Sequence, residues 1–174
     1  MKRIIALAAI TTLAACAPTL TTAPPGVFQP KRGVAVELRN AWTHIPPELN
    51  NVTTGSVLTR HGLALDRIEI VRLRAGQSIV RAPSYVDAPR YRSGMSESEL
   101  VALVTASLQR LQHTDIRTEN LRPHQLAGAQ GLRFDIRGNY PSGLNMRGDA
   151  VLAQANGELN LILFLAPAAH YYEA

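Results

Sequence analysis

The chain reads as an α+β domain in which an antiparallel β-sheet of about six to seven strands packs against one main amphipathic helix. Three observations predict it. Short apolar runs with two-residue alternation lie on both sides of a single stretch of helical periodicity, Glu97 to Gln112. Strong turn signals separate the runs, above all Asn156-Gly157. Strands and helix are also segregated along the chain, which favours an antiparallel sheet with a helix on one face over βαβ units.

In order, Val34 to Leu38 is a first strand with Val34, Val36 and Leu38 on one face. Trp42 follows in a loop with Pro46, Pro47, Asn50 and Asn51, either as a core plug or as the lining of a groove at the domain's edge. Ser56 to His61 and Leu63 to Leu73 form a hairpin about Gly62, with Ile68 and Ile70 on one face and Arg67, Glu69 and Val71 on the other. After the Ala75-Gly76 turn, Ile79 and Val80 start another short strand. Ala82 to Gly94 then loses periodicity. It reads as a solvated connector, yet Tyr85, Arg90, Tyr91 and Arg92 are residue types that favour interfaces and would suit a recognition loop.

Ser96 and Glu99 form a capping box, and Leu100, Leu103, Val104, Ser107, Leu108 and Leu111 recur at helical spacing behind it. Four strand-like runs follow. Ile116 to Leu121 is irregular. Leu132 to Arg137 alternates, with Leu132, Phe134 and Ile136 inward and Arg133, Asp135 and Arg137 outward. Leu144 to Gln154 and Glu158 to Ala166 flank Asn156-Gly157, and the second of them, apolar on both faces, reads as an interior strand. The helix, the run Gly131-Leu132-Arg133-Phe134-Asp135, a hairpin and an apolar strand ending in Ala166-Pro167 together resemble the PsbP-like fold of extrinsic and envelope lipoproteins, over about residues 95 to 172. That resemblance implies a sandwich-like, non-catalytic domain that binds or stabilises a partner. The C-terminus departs from it, since Ala168 to Ala174 has room for one helical turn where that fold has a full helix.

Residues 1–15 have the pattern of a secretory signal: Lys2 and Arg3, then the apolar run Ile4 to Ala15. The run is shorter than the ~20 residues a membrane-spanning helix needs. It closes on Leu13-Ala14-Ala15-Cys16, which resembles the lipobox of bacterial lipoproteins. The resemblance implies cleavage between Ala15 and Cys16 and acylation of Cys16 by several chains, enough for stable anchoring. Ala17 in place of Asp implies outer-membrane delivery, facing the periplasm. An ordinary signal cleaved elsewhere is the other reading. Residues 16–33, with Pro18, Pro24, Pro25 and Pro30 among Thr and Ala, read as an extended tether, leaving 34–174 as one domain.

Loss of Lys2 and Arg3 with the signal lowers the net charge from +5 to +3, and the remaining basic residues form no dense run, which argues against a nucleic-acid partner. Cys16 is the only cysteine. Once acylated it leaves the domain no disulfide, thiolate ligand or thiol nucleophile. His44, His61, His113, His124 and His170 lack metal-ligand spacing, no Ser sits in a nucleophile elbow, and no phosphate-binding glycine loop is present. No metal, cofactor or catalytic residue is therefore expected. Arg147-Gly148-Asp149 reads as part of a strand. Arg133, Arg137 and Arg147 would share one sheet face, either as a site for a phosphate or carboxylate or as a water-facing surface. The expected function is a tethered interaction or scaffold domain with an envelope protein partner. The alternatives are a small-molecule or lipid carrier, with a cavity between helix and sheet or under Ala82 to Gly94, and more weakly an envelope hydrolase.

Overall fold

Strand pairing begins well before the first alternating apolar run. The computed structural model describes residues 19–31, 33–81 and 87–169. Within them β1 (Thr21–Ala23) pairs antiparallel with β4 (Trp42–Ile45), and β2 (Gly26–Phe28) pairs with β3 (Val36–Leu38). Residues 21–28 are therefore folded and not part of a free tether, and the domain boundary moves from residue 34 back to about Thr21. Strands of three residues are too short to show alternation. Their backbone pairing, with Ala23 buried beneath it, holds a Pro- and Thr-rich stretch whose composition alone suggests a linker.

The main sheet has eight strands, more than the six to seven expected, in the order β1-β4-β5-β6-β10-β9-β8-β7. Its remaining members are β5 (Ser56–Thr59), β6 (Arg67–Arg74), β7 (Thr114–Leu126), β8 (Ala129–Asn139), β9 (Asn145–Ala155) and β10 (Glu158–Pro167). All its pairings are antiparallel. Two meanders, β4-β5-β6 and β7-β8-β9-β10, are joined where β10 pairs with β6, from Glu158↔Arg74 to Leu165↔Arg67. The Asn156-Gly157 turn has positive φ at both residues, 52° and 76°, as a type I′ turn requires.

Helix α1 (Glu97–Arg110) links the two meanders. Glu99 N donates to Ser96 Oγ at 3.3 Å and Ser96 N to Glu99 Oε2 at 2.8 Å, which completes the capping box. At its other end Gln112 turns left-handed (φ 64°) and His113 N donates to the Leu108 carbonyl, a Schellman closure that aims His113 into the protein. The α-helix consequently stops two residues before Gln112.

Each sheet face has its own core. Leu100, Leu103, Val104 and Leu108 of α1 pack on Val71 and Leu73 of β6, Leu132, Phe134 and Ile136 of β8, and Leu159, Leu161, Leu163 and Leu165 of β10. At ~1.5–3 kcal/mol per buried large apolar side chain, this face supplies most of the stabilisation. On the opposite face β2 and β3 cover Leu58 and Ile70, with Ala23, Val34 and Leu38. The Arg147-Gly148-Asp149 tripeptide lies inside β9. A Cβ at Gly148 would stand 2.6 Å from both Leu165 Cδ2 and the Phe164 carbonyl. Gly148→Ala is therefore expected to cost about 1–3 kcal/mol, seen as a lower urea midpoint at unchanged slope.

Candidate functional site

Beyond the reach of β2 and β3, the sheet face opposite α1 carries a lattice of charged side chains on β7, β8 and β9. Register places Glu119 beside Asp135, Asp135 beside Asp149, Arg117 beside Arg137 and Arg137 beside Arg147. Like charges opposed across strands repel. Here diagonal pairs resolve the repulsion. Arg133 Nε donates to both Asp149 oxygens at 2.9 and 2.8 Å. Both terminal nitrogens of Arg122 reach Asp135 Oδ1 at 3.1 Å, and Nη2 lies 3.8 Å from Asp149. Arg137 Nε meets Glu119 at 3.0 Å. A hydrogen bond from Asn120, reinforced by Arg122, holds the Asp135 carboxyl below its ordinary pKa. Asn120 sits at a bulge of β7, in left-handed conformation (φ 53°), and this irregularity brings Asn120 and Arg122 together over Asp135.

The structure thus gathers Arg133, Arg137 and Arg147 on one face, as their outward register predicts. It also binds Arg133 to Asp149 and Arg137 to Glu119, so the trio is not an open anion cradle. Arg122 and Glu119 were missed because the sequence shows β7 only as an irregular run ending at Leu121. An edge strand that is polar on both faces has no apolar alternation to mark its length.

The recognition loop is corrected in part. Tyr91 is fully buried: its hydroxyl donates to Gln154 Oε1 at 3.0 Å, and its backbone bonds to Gly76 and Gln77. It is a core plug, because an irregular segment pinned by backbone bonds turns its aromatic ring inward. Arg90 and Arg92 remain exposed, the first donating to the Gly76 carbonyl at 2.8 Å and the second to Glu99 at 2.9 Å. Tyr85 lies outside the described residues, as do Ala15, Cys16, His170, Tyr171 and Tyr172.

Trp42 occupies β4 and not a loop, and it both packs on the second core and lines a cleft of about 330 Å³. Leu38, Ile68 and Phe164 complete an apolar floor, while Glu37, Arg39, Arg60 and His61 line the rest of the cleft. The Arg60 guanidinium lies 5.8 Å from the Trp42 ring centroid, within cation–π range. Asp66 shapes the rim. It accepts from the Thr59 hydroxyl at 2.8 Å, Arg60 N at 2.9 Å and His61 N at 3.0 Å, and it pairs with His61 Nδ1 at 2.9 Å. Burial works to raise the Asp66 pKa, but these bonds outweigh it and hold the carboxyl below its usual range. Two further recesses lie where the sequence suggests a cavity: one of about 260 Å³ between the first turn of α1, at Glu97 and Leu100, and the sheet at Leu132 and Leu152, and one of about 730 Å³ between the end of α1, at Gln109 and Arg110, and residues 87–92 of the connector.

No family model matches the chain, and no curated protein is detectably similar to it. Among the described residues no group of three or more His, Cys, Asp or Glu side chains is placed to hold a metal, and no helix is long and apolar enough to cross a membrane.

A buried polar group closes the helix-side core near the end of α1. Arg67 Nε lies 3.2 Å from Glu69 Oε1, Arg67 Nη2 lies 3.2 Å from His113 Nε2, and His113 stacks edge-on against Tyr140 at 5.2 Å. Burial raises the pKa of Glu69, only 2% exposed, and Arg67 partly offsets that rise. Burial and then Arg67 push His113 down to about 4. A histidine depressed in the folded state takes up its proton more readily when unfolded, so His113 lowers stability as pH falls from about 6.5 to about 4. Glu69 acts in the opposite sense, its cost growing as pH rises above its unfolded value. Comparing wild type with His113→Phe in urea titrations at several pH values isolates the imidazole. The variant is expected to lose roughly 2–3 kcal/mol of the decline across that window.

Proposed function

We propose that this chain is a cell-envelope lipoprotein, held by acylated Cys16 and facing the periplasm from the outer membrane, whose non-catalytic domain binds a protein partner through the charged face of β7, β8 and β9. The observation that carries the reading is the guanidinium–carboxylate lattice described above. Charged side chains held in place by one another need little further ordering on association, so they favour complementary charge on a partner without a large entropic cost. The lipobox resemblance and the PsbP-like pattern support the same reading.

Radiolabelled palmitate should enter wild type and not Cys16→Ala, and crosslinking of wild type in intact cells should recover one repeatable envelope partner. Arg137→Ala/Arg147→Ala should reduce that recovery about tenfold, equivalent to about 1.4 kcal/mol. The unfolding midpoint should barely move, because exposed ion pairs contribute only about 0–1 kcal/mol. Recovery of wild type alone, at native abundance, would remove the interaction reading.

The Trp42 cleft supports a second reading, a carrier for a small amphipathic or aromatic molecule: it joins an apolar floor to a rim of mixed charge, Arg39 and Arg60 with Glu37 and Asp66. Trp42 is the only tryptophan in the chain, so intrinsic fluorescence reports this cleft directly. Titration with envelope lipid extract is expected to give a saturable change that Arg60→Ala weakens several-fold. A flat trace would exclude the carrier.

A further inference from the structure

Residues 87–92 of the connector and the last turn of α1 form the walls of the recess of about 730 Å³, which opens to solvent on the helix side. Its connector wall is fixed through backbone. Gly76 N donates to the Tyr91 carbonyl and Tyr91 N to the Gln77 carbonyl, each at 2.8 Å. Gln154 Oε1 accepts from the Tyr91 hydroxyl at 3.0 Å and from Gly94 N at 3.1 Å, which ties the same segment to β9. On the helix wall, Leu111 N, Gln112 N and His113 N bond to the carbonyls of Ser107, Gln109 and Leu108. Those bonds blunt the negative potential that a helix C-terminus otherwise presents to an anion.

Three arginines border this recess, and they are not equivalent. Arg92 is paired with Glu99 at 2.9 Å. Arg90 and Arg110 donate to backbone carbonyls instead, Arg90 Nη1 to Gly76 at 2.8 Å and Arg110 Nη2 to Asp87. Among the described residues neither is paired with a carboxylate, whereas Arg72, Arg74, Arg122, Arg133 and Arg137 each are. A carbonyl orients a guanidinium through one of its five N–H donors and leaves its full positive charge. Asp87 supplies the one carboxylate of the described lining, so the recess carries net positive charge on walls that are already in place.

We propose that this recess binds an acidic saccharide, with its carboxylate or phosphate on Arg90 and Arg110 and its ring hydroxyls on the side-chain amides of Gln109 and Gln112. Guanidinium forks match the geometry of carboxylate and phosphate oxygens. The volume is that of a site for an organic ligand and far exceeds what a lone ion fills. Each glutamine amide offers both donors and an acceptor, the pairing that hydroxyl groups need. Ala88, Pro89 and Ala106 add a small apolar patch for the ring's C–H face. The site lies apart from the charged face of β7, β8 and β9, and it does not depend on acylation of Cys16.

Isothermal titration of the full-length protein in detergent micelles, with glucuronate and with glucose 6-phosphate, tests the site and tells carboxylate from phosphate. At least one of the two is expected to bind saturably, and both glucose and inorganic phosphate at least tenfold more weakly. Arg90→Ala/Arg110→Ala should weaken binding at least tenfold. Ala106→Leu narrows the recess with every charge in place and should weaken it several-fold, so it decides the question even where loss of the Arg110–Asp87 contact loosens the connector. Absence of binding by both acids, or an affinity unchanged in Ala106→Leu and in the double variant, would overturn the site. Glucose binding as tightly as its phosphate would overturn the role of the arginines, and inorganic phosphate doing so would overturn the saccharide.

Discussion

The pairing of β10 with β6 is the contact on which the rest of the structure depends. It joins strands 84 residues apart at Arg74 and Glu158, and without it the chain would fall into an N-terminal meander and a C-terminal meander, each with an open edge. The seam also lies under both cores. Odd-numbered residues of the two strands face α1, while Ile70 and Ile162 face β2 and β3. A non-local pairing of this kind has a high loop-closure cost, repaid only when both faces are covered. The helix between the meanders and the N-terminal strands are the elements that cover them.

The two faces then diverge. On the helix side α1 packs directly on the sheet, and the polar residues admitted there, Arg67, Glu69 and His113, sit at its margin where the chain leaves α1. Isolated burial of an ionised carboxylate is costly, and Arg67 offsets that cost only in part. On the other side β2 and β3 cover Leu58 and Ile70, and the outward side chains of β8 and β9 stay partly exposed. There a charged lattice can form, because partial exposure lets guanidinium and carboxylate pair without full desolvation. Structural cost and the charged lattice are thus kept on opposite faces of one sheet.

Much of the fold was legible in the sequence where a local rule decides the conformation. Ser96 and Glu99 mark the helix start because a capping box satisfies backbone groups within four residues. Asn156-Gly157 marks a hairpin because positive φ suits few other pairs. Alternation identifies β8 and β10 because their inner faces are buried. The rule fails at β1, β2 and β7. The first two are short and Pro-flanked, and β7 is an edge strand whose side chains are largely solvated, so none of them carries an apolar signature. The site follows the same division. The outward register of Arg133, Arg137 and Arg147 could be read from alternation, but their carboxylate partners could not, since Glu119 lies across a bulge. Tyr91 was misplaced for a related reason: irregular backbone has no period from which to infer which way a ring points.

The sequence by itself determined the fold class, the position and caps of the helix, the principal hairpins and the features that suggest an acylated N-terminus, all of which depend on residues close together in the chain. Tertiary structure alone decided that the chain following Cys16 is bound into the sheet by Thr21, that Arg122, Arg133 and Arg137 of the open face are held by acids from neighbouring strands, and that Trp42 looks into a cleft. Each of these depends on strand register between distant segments, and register is set by the joint burial of both sheet faces, which no single stretch of the chain contains.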